Sequence, residues 1–379
     1  MIPFNKPAYL PAMAEYIRQA VALNRKTSGD GPFTRQASAW LERNTGAPRV
    51  LLTTSCSHAL EMMALLCGVG PGDEVILPSY NFPSAANAFA LRGAACVFVD
   101  IRPDTMNIDE RLIEDAITPR TRAICVMQYA GVSCDMDAIS EIARRRGLYL
   151  LEDAAQGMMA AYRGRPLGTL GDMGTYSFHE TKNFTMGEGG CLILSDAALG
   201  LPAEMLREKG TDRSRFFRGE VDKYNWQTVG SSYLPSDVNA AYLCAQLPVA
   251  QEITRRRVEI WETYYRALSP LADAGRIRLP VVPEGCAHNG HIFYIKCRDL
   301  KDRTRFITHM KAGGVSATFH YAPLHTAPAG RQYGRFHGED RHTTRESERL
   351  VRLPLFYELT DDEVGRVLDC VLEFFAREP

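Results

Sequence analysis

The 379-residue chain lacks most of the features that would place it outside the cytoplasm or on a charged polymer. No apolar run approaches the ~20 residues that a membrane-spanning helix needs. Its N-terminus, Met1-Ile-Pro-Phe-Asn-Lys-Pro, has no charged-then-apolar signal segment, so cytoplasm is the expected compartment. Forty-four Lys and Arg oppose 45 Asp and Glu for a net charge of −1, which leaves no footprint for nucleic acid or an anionic membrane. Ten cysteines are present, at 56, 67, 96, 125, 134, 191, 244, 286, 297 and 370, yet none form a C-x-x-C pair. That spacing points to neither a zinc knuckle nor a redox motif, and thiols inside apolar stretches read as small buried hydrophobes. No repeat or low-complexity segment is visible.

From about residue 49 short β-rich runs alternate with longer helical ones. Strands are expected at Arg49–Thr53, Glu74–Leu77, Cys96–Val99, Arg122–Met127, Leu148–Glu152, Thr175–Phe178 and Gly190–Leu194, with helices at Ser57–Leu66, Ser84–Leu91 and Met136–Arg146. Apolar strands separated by helices predict an α/β fold with a mostly parallel sheet covered on both faces. Near residue 250 the pattern changes to a long helix from Pro248 to Leu268 and a shorter α+β stretch. Two domains are therefore expected: residues 1–250 as a large domain with an N-terminal segment, and 251–379 as a smaller C-terminal one.

Ligands of such sheets gather at the carboxyl ends of the strands. Two residues near such ends carry the functional reading. Lys182, in Ser177-Phe-His-Glu-Thr-Lys182-Asn183, supplies an amine, and Asp153, opening Asp153-Ala-Ala-Gln156, supplies a carboxylate. This is the pair that pyridoxal 5′-phosphate (PLP) requires: a lysine for the Schiff base and an acid against the ring nitrogen. Gln156, three residues on, is placed to reach the ring hydroxyl. Thr53-Thr-Ser-Cys-Ser57, between a strand and a buried helix, offers hydroxyls and free N–H groups for the phosphate. Phe82, opening the next helix, is a candidate to stack on the ring. Gly187, Gly189 and Gly190 are expected where backbone passes close to a ligand or a second chain.

Two other clusters carry less. Histidines in Phe319-His320-Tyr321-Ala-Pro-Leu-His325 have no carboxylate or cysteine at ligand spacing, so no metal is expected and a polar aromatic loop beside a substrate cleft is the better reading. Arginines 341, 345, 349 and 352 are spaced as a helix, which predicts a solvated helical face.

These segments resemble the DegT/DnrJ/EryC1/StrS sugar aminotransferases, which have the aspartate-aminotransferase (fold type I) architecture. The matching pieces include Gly29-Asp-Gly-Pro-Phe-Thr34, Thr54-Ser-Cys-Ser57, Gly72-Asp-Glu-Val-Ile-Leu-Pro-Ser79, Glu152-Asp-Ala-Ala-Gln156, Tyr176 to Asn183 and His320 to His325. They span nearly the whole chain. Stretches from Asp100 to Asp109, Arg207 to Tyr224 and Gly230 to Tyr233 are most similar to one branch. Its members use L-glutamate to aminate C4 of dTDP-4-keto-6-deoxy-D-glucose in enterobacterial common antigen synthesis.

The resemblance implies roles. Lys182 is the catalytic lysine that holds PLP, Asp153 faces the ring nitrogen, and Gln156 the hydroxyl side. Cys56 (through its backbone), Ser57 and Ser177 hold the phosphate, and Phe82 stacks on the ring. It also implies a homodimer with shared sites, where Ser232 reaches the partner's phosphate and Leu234 stands where many relatives have arginine. His320, Tyr321 and Tyr224 are the substrate candidates. A histidine-bearing branch of the family performs dehydration, so Lys182 argues for amino transfer. The rivals are a sibling enzyme of different carbon, epimer or nucleotide specificity, and a non-catalytic protein that keeps the fold.

Overall fold

A computed structural model of the chain describes residues 1–376. Its strands, in chain order, are β1 (Arg49–Thr53), β2 (Glu74–Pro78), β3 (Ala95–Val99), β4 (Thr121–Met127), β5 (Tyr149–Asp153), β6 (Ala161–Tyr162) and β7 (Arg165–Pro166). They continue with β8 (Met173–Ser177), β9 (Gly190–Leu194), β10 (Cys286–Ala287), β11 (Phe293–Lys296), β12 (Gly334–Phe336) and β13 (Leu350–Leu353).

Eight of them form one sheet in the order β1-β9-β8-β5-β4-β2-β3-β12. β9 runs antiparallel to β1 and β8, and every other pair is parallel. The expected α/β architecture is thus present; the bounds of the expected large-sheet strands and of the three helices between them lie within two residues of those read from the sequence, whereas the long helix read as Pro248 to Leu268 runs from Ala250 to Asp273. Period-two alternation divides each strand between two cores. Val50 and Leu52 of β1 join the cluster built with Phe33, Leu41 and Ile139, whereas Leu51 faces the one built with Leu60, Met63 and Phe89.

Local chemistry accounts for the bounds. The Asp135 side chain caps the Met136–Arg146 helix by accepting from Ala138 N at 3.2 Å, and Gly147 ends it at φ +64°. Gly31 precedes the Pro32–Thr45 helix because Asp237 occupies the space a Cβ would need; the Asp237 carboxylate accepts from Thr34 N and Thr34 Oγ1, both at 2.7 Å. All ten cysteines are free thiols.

Beyond residue 250 the 24-residue helix Ala250–Asp273 leads to an antiparallel pair, β11 and β13. Helices Leu300–Ala312 and Asp361–Ala376 pack on it around Tyr264, Phe293, Phe306 and Val371. Two segments cross between the halves of the chain: Ile2 lies in this C-terminal core, and β12 extends the edge of the large sheet beside β3. Among the described residues no helix is long and apolar enough to cross a membrane.

The expected solvated arginine face is not there. The helix covers only Thr343–Arg349, so the four arginines do not share one. Arg349 is buried and donates to Cys297 O at 2.8 Å, while Arg352 belongs to β13, is half-buried and lines the large cleft. Helical spacing misled because the helix stops at Arg349, and the extended backbone of β13 sets the facing of Arg352 instead.

Candidate active site

The carboxyl ends of β1, β8, β5 and β4 open on a cleft of about 660 Å³. Its lining includes Cys56, Ser57, Phe82, Asp153, Gln156, Ser177, Lys182, His320 and Tyr321, nine of the eleven residues expected from the sequence. The other two, Ser232 and Tyr224, lie outside it and are exposed. Ser232 sits in an isolated bridge with Glu208, and Tyr224 packs its ring 5.8 Å from that of Phe216.

Lys182 is carried on the connection between β8 and β9, fixed on its C-terminal side. Gln246 clamps Thr185 through both backbone groups, at 3.0 and 2.7 Å, and Asn183 donates to Asn289 O at 3.0 Å. Burial lowers the Lys182 ammonium below the usual lysine value; Cys56 and Asp153 oppose that shift and Arg352 adds to it. Asp153 ends β5 and is buried. Burial raises its carboxyl, against a hydrogen bond from Ala155 N at 3.2 Å and the charge of Lys182. Glu152, its neighbour, points the other way and is fully engaged: it accepts from Gly168 N, Leu170 N, Gly171 N and Gln128 Nε2. One carboxylate therefore builds the fold and the other faces the cleft.

Ser55 caps the Cys56–Leu66 helix by accepting from His58 N at 3.1 Å, which leaves the first-turn N–H groups of Cys56 and Ser57 at the cleft. The Cys56 thiol, by contrast, turns inward to Thr175 and is raised to about 12, chiefly by burial. Ser177 Oγ accepts from His179 N at 3.4 Å. Gly190 meets the backbone of Cys56 at a distance no Cβ would tolerate, so its close neighbour is this chain's own helix start; Gly187 instead forms a turn at φ +75°.

Gln156 accepts from Ala130 N at 2.6 Å and donates to Tyr321 hydroxyl at 3.1 Å. Phe82 stays 54% exposed on the cleft wall, its ring 6.0 Å from that of Tyr321. The Tyr129 hydroxyl bridges Tyr80 at 3.3 Å and His320 Nδ1 at 3.0 Å.

Among the lining residues that sequence reasoning missed, three carry polar groups set deep in the site. Asn81 is fully buried, its Oδ1 accepts from Phe82 N at 2.7 Å, and its Nδ2 has no partner. His291 Nδ1 meets Asn183 Oδ1 at 3.0 Å, and burial keeps it neutral. Arg352 presents a guanidinium inside the apolar run Leu350-Val-Arg-Leu-Pro, and a charge in such a run is itself a signal of a partnered or functional site.

Sheet and cleft together define a fold type I aminotransferase. Residues 12–372 match the DegT/DnrJ/EryC1/StrS aminotransferase family, and the chain belongs to it. The spore coat polysaccharide biosynthesis protein SpsC of Bacillus subtilis strain 168 is 32% identical over 349 residues, 90% of this chain and 89% of its own. The aminotransferase TlmJ from Streptoalloteichus hindustanus is 34% identical, with a TM-score of 0.90 over 99% of both chains. Spr1654 of Streptococcus pneumoniae, described as a sugar aminotransferase, is 25% identical. Its PLP-form aligns with a TM-score of 0.89 over 99% of both chains and its PMP-form with 0.91 over 100% of both.

The protein is thus a PLP-dependent sugar aminotransferase. The residues present fit the cofactor: one amine, a buried carboxylate with a single backbone donor, free helix N–H groups, and an unpartnered Asn81 amide.

Proposed function

We propose that the chain transfers an amino group from L-glutamate to C4 of dTDP-4-keto-6-deoxy-D-glucose, giving dTDP-4-amino-4,6-dideoxy-D-galactose and 2-oxoglutarate. The observation that carries the chemistry is Lys182 beside Asp153 on the cleft floor, with a depressed amine. The similarity of Asp100–Asp109, Arg207–Tyr224 and Gly230–Tyr233 to the common-antigen branch supports the choice of sugar.

PLP, when bound, supplies an electron sink that lets the proton leave the carbon bearing the amine. Lys182 would hold the cofactor through its amine and would move the proton at the amine-bearing carbon; its lowered pKa suits it to both tasks. Asp153 would face the ring nitrogen, where a neighbouring carboxylate favours the charged form by roughly 1–3 pKa units. The Cys56 and Ser57 N–H groups, with the Ser57 and Ser177 hydroxyls, would hold the phosphate. Phe82 would stack against the ring and Gln156 would orient its hydroxyl side. His320 and Tyr321 contact the sugar; His320 stays neutral because burial holds its imidazole well below the ordinary value.

In this reading the enzyme is a homodimer. Ser232 and Tyr224 serve the partner's cleft, which accounts for their exposure together with that of Phe217 and Trp226 on the same segment. The division of the chain near residue 250 belongs to the same proposal, with the C-terminal part supplying His320, Tyr321 and Arg352.

The test is product analysis. Purified enzyme with L-glutamate and the dTDP-keto sugar is expected to yield 2-oxoglutarate and one amino sugar, whose H4 coupling in proton NMR reports the galacto configuration. UDP- and GDP-linked keto sugars serve as competitors. A gluco product, or faster turnover of a UDP-sugar, would replace the substrate named here.

A further inference from the structure

We infer that His291 is the hydrogen-bond acceptor for the hydroxyl next to the reacting carbonyl of the keto sugar, the C3 hydroxyl in the substrate proposed above. The inference rests on that proposal and adds the group that would recognise its sugar. His291 lies on the connection between β10 and β11 and lines the cleft together with Lys182. Burial holds its imidazole well below the ordinary value, and the nearby charge of Lys182 adds to that.

The tautomer of this neutral ring follows from its neighbours. Asn289 Nδ2 donates to Gln156 O and Met158 O, both at 2.8 Å, and Asn289 Oδ1 accepts from His291 N at 3.1 Å. Asn183 Nδ2 donates to Asn289 O at 3.0 Å, which leaves Asn183 Oδ1 as the acceptor facing His291 Nδ1, also at 3.0 Å. Nδ1 therefore carries the proton and Nε2 keeps a lone pair. The backbone is held as firmly. Arg257 donates to Gly290 O at 3.1 Å and to His291 O at 2.7 Å, and Gly290, at φ +60°, packs where a Cβ would strike the Arg257 backbone. Nε2 has no partner among the described residues and is open to the cleft.

A neutral acceptor selects a neutral donor. It offers nothing to a phosphate or a carboxylate, which are acceptors themselves. The amino acid carries no hydroxyl beside its reacting carbon. In the keto sugar, C4 is flanked by C3, which bears a hydroxyl, and by C5, which bears a methyl group. The C3 hydroxyl is thus the donor adjacent to the carbon that receives the amine, and His291 stands beside Lys182, where that exchange takes place. Other acceptors on the wall are engaged: His320 Nδ1 with the Tyr129 hydroxyl at 3.0 Å, and Gln156 Oε1 with Ala130 N at 2.6 Å. A sugar without the hydroxyl would leave the buried Nε2 unpaired, which is how a polar site rejects a deoxy analogue.

Asparagine and glutamine separate the two ring nitrogens. His291→Asn places an amide N–H where Nδ1 donates to Asn183 and nothing at Nε2; His291→Gln reaches the Nε2 position and gives up the tie to Asn183. The test compares dTDP-4-keto-6-deoxy-D-glucose with its 3-deoxy analogue in holoenzyme. Wild type is expected to prefer the hydroxylated sugar by about 30-fold or more in kcat/KM. His291→Asn should cut the preference below about threefold, with single-turnover formation of 2-oxoglutarate from L-glutamate unchanged within about threefold, and His291→Gln should keep about tenfold. Calorimetry with dTDP-6-deoxy-D-galactose, which has no carbonyl to aminate, should show the same order against its 3-deoxy form. The reverse order, with preference kept in His291→Asn and lost in His291→Gln, overturns the inference in favour of a purely structural tie to Asn183. Equal slowing of the glutamate and sugar half-reactions overturns it too, as does a wild type indifferent to the hydroxyl. A wild type that aminates a different keto sugar replaces the substrate named above instead, and that sugar, with and without the hydroxyl next to its carbonyl, then decides the role of His291.

Discussion

Ser57 and Ser84 hydroxyls meet at 2.6 Å, tying the N-terminus of the Cys56–Leu66 helix to that of the Pro83–Ala90 helix at one corner of the cleft. Both helix N-termini thereby border the cleft, where the positive end of a helix dipole favours an anion. Ser57→Ala should weaken cofactor retention about tenfold or more, the worth of one hydrogen bond to a charged group. Ser84→Ala, which only loses the tie, should cost less. Absorbance of bound cofactor during dialysis measures both, and equal retention in Ser57→Ala and wild type would remove Ser57 from the phosphate site.

Asp153→Asn keeps shape and removes charge. It is expected to slow turnover by about 10²-fold or more, the scale of a lost electrostatic partner in an enclosed site. Fold and thermal stability should hold, because among the described residues a single backbone donor, Ala155 N, contacts the carboxylate. Removal of a raised, buried carboxyl can even stabilise the apoprotein. Parallel melting curves and steady-state rates separate the two effects, and near-normal rates would contradict the assigned role.

The large sheet was legible because its signals are local. Apolar runs such as Val75–Leu77 and Cys191–Leu194 are buried on both faces, and turn glycines such as Gly147 mark their limits. Lys182, Asp153 and Gln156 were legible for a similar reason, since a strand end followed by a polar turn is a pattern in sequence. His291 and Arg352 were not, because each reaches the cleft from a C-terminal element whose placement depends on long-range packing, while Asn81, in the turn after β2, was passed over because its burial and its unpartnered amide show only in the fold. Arg352 misled most. Its spacing from Arg345 and Arg349 fits a helix, and only pairing of β13 with β11 turns it inward. Ser232 and Tyr224 fall outside their own chain's cleft.

Three histidines predict acid sensitivity. Burial lowers His291 and His320 well below 6.5 and brings His288 to about 4. Each is neutral in the fold and takes up a proton near pH 6.5 when unfolded. Stability is therefore complete above that value and declines as pH falls, by ~1.4 kcal/mol per unit per histidine until the folded group titrates. Urea midpoints from pH 7.5 to 5 should show the decline, and His288→Gln should flatten it. A flat profile in wild type would mean these imidazoles are more hydrated than their packing implies.

A buried ion pair holds the loop that carries His320 and Tyr321 in place. Lys296 and Glu346 meet at 3.0 Å with side chains 2% and 1% exposed, and Lys296 also donates to Pro103 O. Glu346 accepts from Arg349 Nη1 at 3.1 Å as well. Burial would raise the Glu346 carboxyl, but Lys296 and the adjacent arginines outweigh it and hold it below 4.5. Its contribution is thus present above about pH 4.5 and lost as pH falls through the lower folded value, a window separate from that of the histidines. Glu346→Gln strands a buried ammonium and should cost about 3–5 kcal/mol, whereas the double change Lys296→Met with Glu346→Leu should recover part of it, the remainder being the Arg349 guanidinium left without its carboxylate. The consequence extends to function, because Ser347, next in the same helix, donates its hydroxyl to Tyr321 O. Glu346→Gln should therefore raise KM for the keto sugar through a displaced Tyr321, and the double variant should lower it part of the way back. A double-mutant cycle in urea, run beside keto-sugar kinetics, checks both. If the single and double variants prove equally destabilised, the pair is not the element that anchors this helix.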